Sequence, residues 1–200
     1  RHRNEANRRN PTSIMHPLRS GQTNVPETDR SNMDFVKFTK IARLSRTMVI
    51  TEKIDGTNGL IAIGDDGEFQ VGSRNQWITP EKDNAGFARW AYEHKDELMG
   101  LGVGFHYGEW WGQGIQRGYG LKEKRFSLFN TSCWADDGVR PACCYVVPTL
   151  YVGDFDTAVI FEELEKLKRD GSKAAPGFMN PEGVVVYHTA GNFYLKKTIV

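Results

Sequence analysis

Glu52-Lys-Ile-Asp-Gly-Thr-Asn-Gly59 lies between two β-rich runs, Met48 to Glu52 and Leu60 to Ile63. A lysine is thereby set at a strand edge among carboxylates and glycines, an unusual place for a merely solvated side chain. An amine attacks phosphorus only when deprotonated, so an ordinary lysine pKa of about 10.4 has to be lowered by burial or by a neighbouring cation such as a bound metal. The glycines would let a nucleotide come close to the backbone. By itself Lys-x-Asp-Gly is short enough to arise by chance, and a turn bearing a surface lysine is the commoner arrangement. The downstream residues have to decide.

Working outward, short segments of high β propensity break repeatedly at Gly, Asp and Asn. Besides the two flanking runs, strands are expected at Glu68 to Gly72, Val103 to Trp111, Phe126 to Phe129, Tyr145 to Val152, Gly183 to His188 and Phe193 to Lys197. Asp65-Asp66-Gly67 and Ala190-Gly191-Asn192 read as hairpin turns, since these residue types tolerate positive φ. One helix is expected from Thr79-Pro80 towards Met99, with Thr79 as N-cap and proline at the first helical position. A second is expected over Thr157 to Asp170, where Ile160, Leu164 and Leu167 recur at helical spacing between the cap Asp156 and the stop Gly171. The class this implies is α+β, with largely antiparallel sheets flanked by helices.

Two hundred residues suffice for one domain with a substantial core plus a tail. Residues 1–30 hold six arginines against three acids and few large apolar groups, which reads as a basic, disordered tail ahead of a domain spanning residues 35–200. Lys and Arg number 26 against 25 Asp and Glu, so the net charge of +1 excludes a global polyanion binder, and any nucleic-acid contact has to be local. The three cysteines, two of them adjacent, make neither a metal-ligand spacing nor a disulfide framework, which suits a reduced, cytoplasmic setting. No apolar run approaches the roughly 18 residues of a membrane span. His94, His106 and His188 show no ligand spacing and read as structural.

Downstream of Lys53, further chemistry-bearing segments occur in order: Ser73-Arg74 after a short strand, Phe105-His-Tyr-Gly-Glu-Trp-Trp-Gly112, Lys124-Arg-Phe-Ser-Leu-Phe-Asn130, Glu182-Gly-Val-Val-Val186 and Leu195-Lys-Lys-Thr198. With these the chain resembles the covalent nucleotidyltransferase superfamily of DNA ligases, RNA ligases and mRNA capping enzymes, over roughly residues 35 to 198. Asn58, in place of the arginine usual in DNA ligases and capping enzymes, resembles the RNA ligase branch typified by phage RNA ligase 2. Glu52 and the Gly-Glu-Trp-Trp-Gly segment are similar to that branch too.

The resemblance implies an adenylation-domain fold and an ATP-dependent RNA ligase that uses Mg²⁺ or Mn²⁺ to join 5′-phosphate to 3′-hydroxyl ends. It implies Lys53 as the group that takes up AMP, with Lys196 and Lys197 supplying charge at the α-phosphate. Glu52, Asp55 and Asn58 would position nucleotide and lysine, Arg74 would contact phosphate, Glu109 the ribose hydroxyls and Phe129 the adenine, while Glu182 would help hold the metal. The family pattern Lys-x-Lys is here Lys196-Lys197. Strand alternation sends these two to opposite faces, and Lys196 is preferred for the phosphate. The stretch after Thr198 is too short for the extra C-terminal domain of larger ligases, so sealing is expected to need a partner protein or such a domain. RNA ends are the expected partner, with DNA or an RNA/DNA duplex as alternatives. A DNA-nick ligase and a non-catalytic, nucleotide-binding relic of the fold are the competing readings. The segment Gly112 to Gly120, with Arg117 and Tyr119, reads equally as a loop tracking a nucleic-acid backbone or as a flexible surface loop.

Overall fold

The structure, a computed structural model, describes residues 35–199; the tail expected over residues 1–30 lies outside them. In chain order the strands are β1 (Thr47–Lys53), β2 (Thr57–Ile63), β3 (Phe69–Gly72) and β4 (Trp77–Ile78), followed by helices α1 (Phe87–Glu93) and α2 (Lys95–Leu98). Then come β5 (Gly104–Gly112), β6 (Lys124–Leu128), α3 (Thr131–Trp134), β7 (Cys144–Val146), β8 (Thr149–Asp154), α4 (Thr157–Asp170), β9 (Gly183–His188) and β10 (Phe193–Thr198). They form a four-stranded sheet in the order β10-β9-β1-β8 and a six-stranded sheet in the order β4-β3-β2-β5-β6-β7. Every pairing is antiparallel except β6 with β7. The α+β class with largely antiparallel sheets is the one expected.

Each sheet buries one face beneath helices, and strand alternation decides which residues go inward. On the four-stranded sheet Met48, Ile50, Val184 and Val186 are buried against Leu164 and Leu167 of α4. Asp156 caps that helix, accepting from the Ala158 N–H at 2.8 Å, and Gly171 at φ +81° ends it, both as the sequence suggests. On the six-stranded sheet Ile61, Val71, Ile78, Trp110 and Phe126 pack with Phe87, Ala91 and Leu98 of α1 and α2. The turn at Asp65-Asp66-Gly67 joins β2 to β3, and that at Ala190-Gly191-Asn192 joins β9 to β10 with Asn192 at φ +50°.

Two expectations need correction. The helix expected from Thr79 starts only at Phe87, because Ala85 and Gly86 both take positive φ and break helical geometry before it. The cap role falls to Asp83, whose carboxylate accepts from the N–H groups of Asn84, Ala88 and Arg89 at 2.7, 2.7 and 3.1 Å. The run Tyr145 to Val152 is not one strand. It splits at Pro148 into β7 in the larger sheet and β8 in the smaller, since proline lacks the N–H a continuing ladder requires. The Val147 N–H still reaches Leu128 in the larger sheet, at 3.1 Å, while the Pro148 carbonyl already accepts from Glu52 in the smaller, at 2.9 Å. Among the described residues no helix is long and apolar enough to cross a membrane, and all three cysteines are free.

Candidate active site

Lys53 is the last residue of β1 and projects from the sheet face opposite α4, because it alternates with the buried Glu52 and Ile50. The register Lys53↔Gly183 brings the start of β9 beside it, and Lys53 Nζ lies 2.6 Å from Glu182 Oε2. Both side chains are largely but not wholly sheltered, at 21% and 15% exposure, so the ion pair is partly desolvated yet open to an incoming ligand. Gly183 is required here: at φ +152° it lies so close to the Lys197 carbonyl that a Cβ would collide with it.

Across from the lysine, on β5, Glu109 is 9% exposed and pairs with Asn58 of β2. Its carboxylate accepts from the Gly56 N–H at 3.0 Å and from Asn58 Nδ2 at 3.3 Å. Burial pushes its pKa up to about 7, against the opposing pull of nearby Lys53 and the Gly56 hydrogen bond, and the carboxylates of Glu182 and Asp55 push the same way as burial. Gly56 sits against the Trp110 carbonyl and the Trp111 side chain, where no Cβ would fit.

Asp55 is held by a group the sequence did not single out for the site. Arg117 Nε donates to Asp55 Oδ2 at 3.0 Å, and its Nη1 reaches the carbonyls of Asn180 and Pro181, both at 3.0 Å. It thus straps the lysine loop to the segment that carries Glu182. The Asp55 N–H donates to the Tyr119 hydroxyl at 2.8 Å. Tyr119 is buried, edge-on to Trp111 and beside Phe178, and burial raises its pKa. The Gly112–Gly120 loop is therefore anchored through Arg117 and Tyr119, and the flexible-loop reading does not describe it.

The other expected residues divide. Phe129, half-buried at the end of β6, packs on the cluster of Ile54, Trp111, Tyr119, Val147 and Ala175, just beneath the lysine loop. Lys196 shares a row with Val185 and Thr51 and so lies on the Lys53 face. Lys197 shares a row with Val184 and Glu52 on the α4 side, with its ammonium 5.9 Å from the Phe161 ring centre. Arg74 is exposed in the turn between β3 and β4 and is not brought to Lys53 by any contact. Glu52 points away from Lys53 altogether. Only 1% exposed, it accepts from Ser172 Oγ at 2.5 Å and from the N–H groups of Lys173 and Ala174 at 2.7 and 2.9 Å, so its oxygens are committed to a loop.

The Glu109 environment sets a pH dependence. Its folded pKa of about 7 lies above the ordinary 4.5, so between those values the folded chain holds a proton that the unfolded chain has lost. Stability from this group is accordingly greatest below pH 4.5, declines as pH rises to about 7 and is constant above. The unfolding free-energy difference between wild type and Glu109→Gln should shift across that window by an amount on the order of 3 kcal/mol. Denaturant titrations at pH 5 and pH 8 giving the same difference would refute it.

The RNA ligase family model matches residues 46–198. No curated protein sequence matches significantly. Among solved structures the chain is similar to a lysine-to-methionine mutant of Naegleria gruberi RNA ligase with AMP and Mn, at TM-score 0.59 and 22% identity over 78% of this chain and 50% of that one. It is likewise similar to a lysine-to-alanine mutant of the same ligase with ATP and Mn, at TM-score 0.57 and 23% identity over 76% of this chain and 48% of that one. The form with PPi matches at TM-score 0.54 and 22% identity, over 76% and 49%. The chain thus spans about half the length of these solved ligases, and the likeness is one of fold.

Proposed function

Since the chain belongs to the RNA ligase family, whose model covers residues 46–198, we propose that it is an ATP-dependent RNA ligase in which Lys53 becomes adenylylated. The observation that carries this is the Lys53–Glu182 pair at 2.6 Å, half-closed beside the buried Glu109. The pair sets the amine beside the carboxylate that would hold a divalent ion, so that binding of the ion would replace an anionic neighbour by a cation and favour the deprotonated, attacking amine. In the first step Lys53 Nζ bonds to the α-phosphorus of ATP, pyrophosphate leaves, and a lysyl-AMP phosphoramidate results. AMP then passes to the 5′-phosphate of an RNA end, with the lysine as leaving group. A 3′-hydroxyl finally attacks that phosphate and expels AMP.

In this reading Glu109 and Asn58 face the ribose, Phe129 the adenine, Lys196 the α-phosphate, and Asp55, fixed by Arg117, holds the lysine loop in place. Arg74, exposed in the β3–β4 turn, meets phosphate of the incoming RNA strand away from the reacting end. The similar Naegleria structures were solved with ATP, AMP or PPi, and several with Mn; we carry over ATP and a divalent cation. The residues fit such an ion: Glu182 offers a partly exposed carboxylate beside Lys53, and Mg²⁺ is commonly held by one or two carboxylates plus substrate phosphates. Glu182 is the carboxylate for that role. When bound, the ion neutralises developing phosphate charge. We further take residues 35–200 as the adenylation domain, residues 1–30 as a basic tail and the cytoplasm as the setting, with a partner protein or further domain completing the sealing step.

Incubation with α-labelled ATP and Mg²⁺ should leave label covalently on the protein, and joining of RNA ends should exceed that of DNA ends of the same sequence. Absence of any adduct sinks the enzyme reading. Preferential sealing of DNA would favour the nick-ligase reading.

A further inference from the structure

The face of the six-stranded sheet that carries Asn58 and Glu109 does not end at that pair. Two residues further along each strand, cross-strand register places Tyr107 of β5 opposite Leu60 of β2, Leu60 opposite Gly72 of β3, and Gly72 opposite Trp77 of β4. The row also meets Phe129, whose N–H donates to the Tyr107 carbonyl at 2.9 Å. With strands about 4.8 Å apart, the distance from Tyr107 to Trp77 is about 14 Å. The opposite face is filled by α1 and α2, but on this one Trp77 remains 53% exposed and Phe105, in the next row of β5, 51% exposed.

Gly72 shapes the far end. A Cβ at that position would press on Trp77 Cε3 and Leu60 Cδ2, at 3.3 and 3.2 Å, so the missing side chain is what lets the indole lie down against the sheet. Immediately after it, the β3–β4 turn carries Arg74, exposed and in no ion pair among the described residues.

We propose that the Trp77–Leu60–Tyr107 row with Phe105 is a stacking track for the unpaired bases of an RNA strand, with Arg74 meeting its backbone. Exposed rings beside a cation form the composition that holds single strands without regard to sequence, because every base offers a π-face and every linkage a negative charge. Continuity supplies the direction: the track leads into the Asn58–Glu109 pair and the lysine beyond it, where a strand end has to arrive. This step rests on the ligase reading above. A protein partner fits less well, since Gln70 and Gly72 interrupt the patch and Arg74 borders it.

The test uses the full chain and a labelled, 5′-phosphorylated 12-nucleotide single-stranded RNA, with affinity read by fluorescence anisotropy and lysyl-AMP formation followed in parallel. Trp77→Ala should weaken binding about tenfold, Trp77→Phe should stay within about threefold of wild type, and adduct formation should be unchanged in both. Equal affinity in Trp77→Ala overturns the track and leaves the exposed rings to a protein partner. Equal weakening in Trp77→Ala and Trp77→Phe, with a lowered melting temperature in both, overturns it in favour of a purely structural tryptophan. A chain that binds RNA through Trp77 but forms no lysyl-AMP refutes the ligase reading alone, whereas one that forms the adduct and binds RNA regardless of Trp77 refutes only the track.

Discussion

Replacing Lys53 by alanine is expected to abolish adduct formation with labelled ATP, by a factor of at least about 10³, since loss of an attacking nucleophile elsewhere costs about 10⁶ in kcat. The fold should survive. Lys53 ends β1, its backbone pairing with Gly183 does not need the side chain, and the lysine is still partly exposed. The substitution does leave Glu182 without its cation, 2.6 Å away in the wild type. That carboxylate is 15% exposed and can recruit water, so the stability cost should stay near 1 kcal/mol. Mass spectrometry after incubation with ATP and Mg²⁺ reads the outcome directly: an AMP-sized increment persisting in Lys53→Ala would place the acceptor elsewhere. Lys53→Arg separates charge from nucleophilicity, because a guanidinium keeps the ion pair but cannot be deprotonated to attack.

Glu52→Ala should do the reverse, lowering stability by about 3 kcal/mol. The carboxylate is 1% exposed and serves three donors, Ser172 Oγ and the N–H groups of Lys173 and Ala174. Burial keeps its pKa above the ordinary range in spite of these bonds. Truncation would leave the donors without an acceptor in a place water does not reach. It would also free Ser172, whose Oγ accepts from the Ala175 N–H at 3.0 Å, and Ala175 packs with Ile54 and Trp111 under the lysine loop. Denaturant unfolding showing a loss under about 1 kcal/mol would contradict this account. Glu52→Gln keeps an acceptor oxygen and should cost less.

The contrast between neighbours 52 and 53 shows what the sequence could carry. Strand alternation puts Glu52 and Lys53 on opposite faces, against the expectation that Glu52 positions the nucleotide, and nothing local announces that Glu52 bonds a loop 120 residues on. Strand positions and both hairpin turns were legible because they depend on near neighbours. The split at Pro148 was not, since both halves are rich in β formers and only the tertiary ladders assign them to different sheets. The late start of α1 depends on the backbone signs of Ala85 and Gly86, and alanine gives no hint of positive φ. Arg117 escaped because three of its acceptors lie on Asn180 and Pro181, more than 60 positions away.

The break at Pro148 has a mechanical side. The chain passes between the two sheets at Val147–Pro148 and again at Ile54–Gly56, and the two crossings adjoin, for Glu52 donates to the Pro148 carbonyl at 2.9 Å. The sheets are thus stitched together beside Lys53, and Arg117 adds a brace across the same corner. Two plates fastened at one corner can rock only about that corner, and displacement grows with distance from it. Lys53 sits near the fulcrum and Trp77, on β4 at the outer edge of the larger sheet, near the tip of the lever. Breathing of the protein would change the grip on a long ligand while leaving the amine almost stationary.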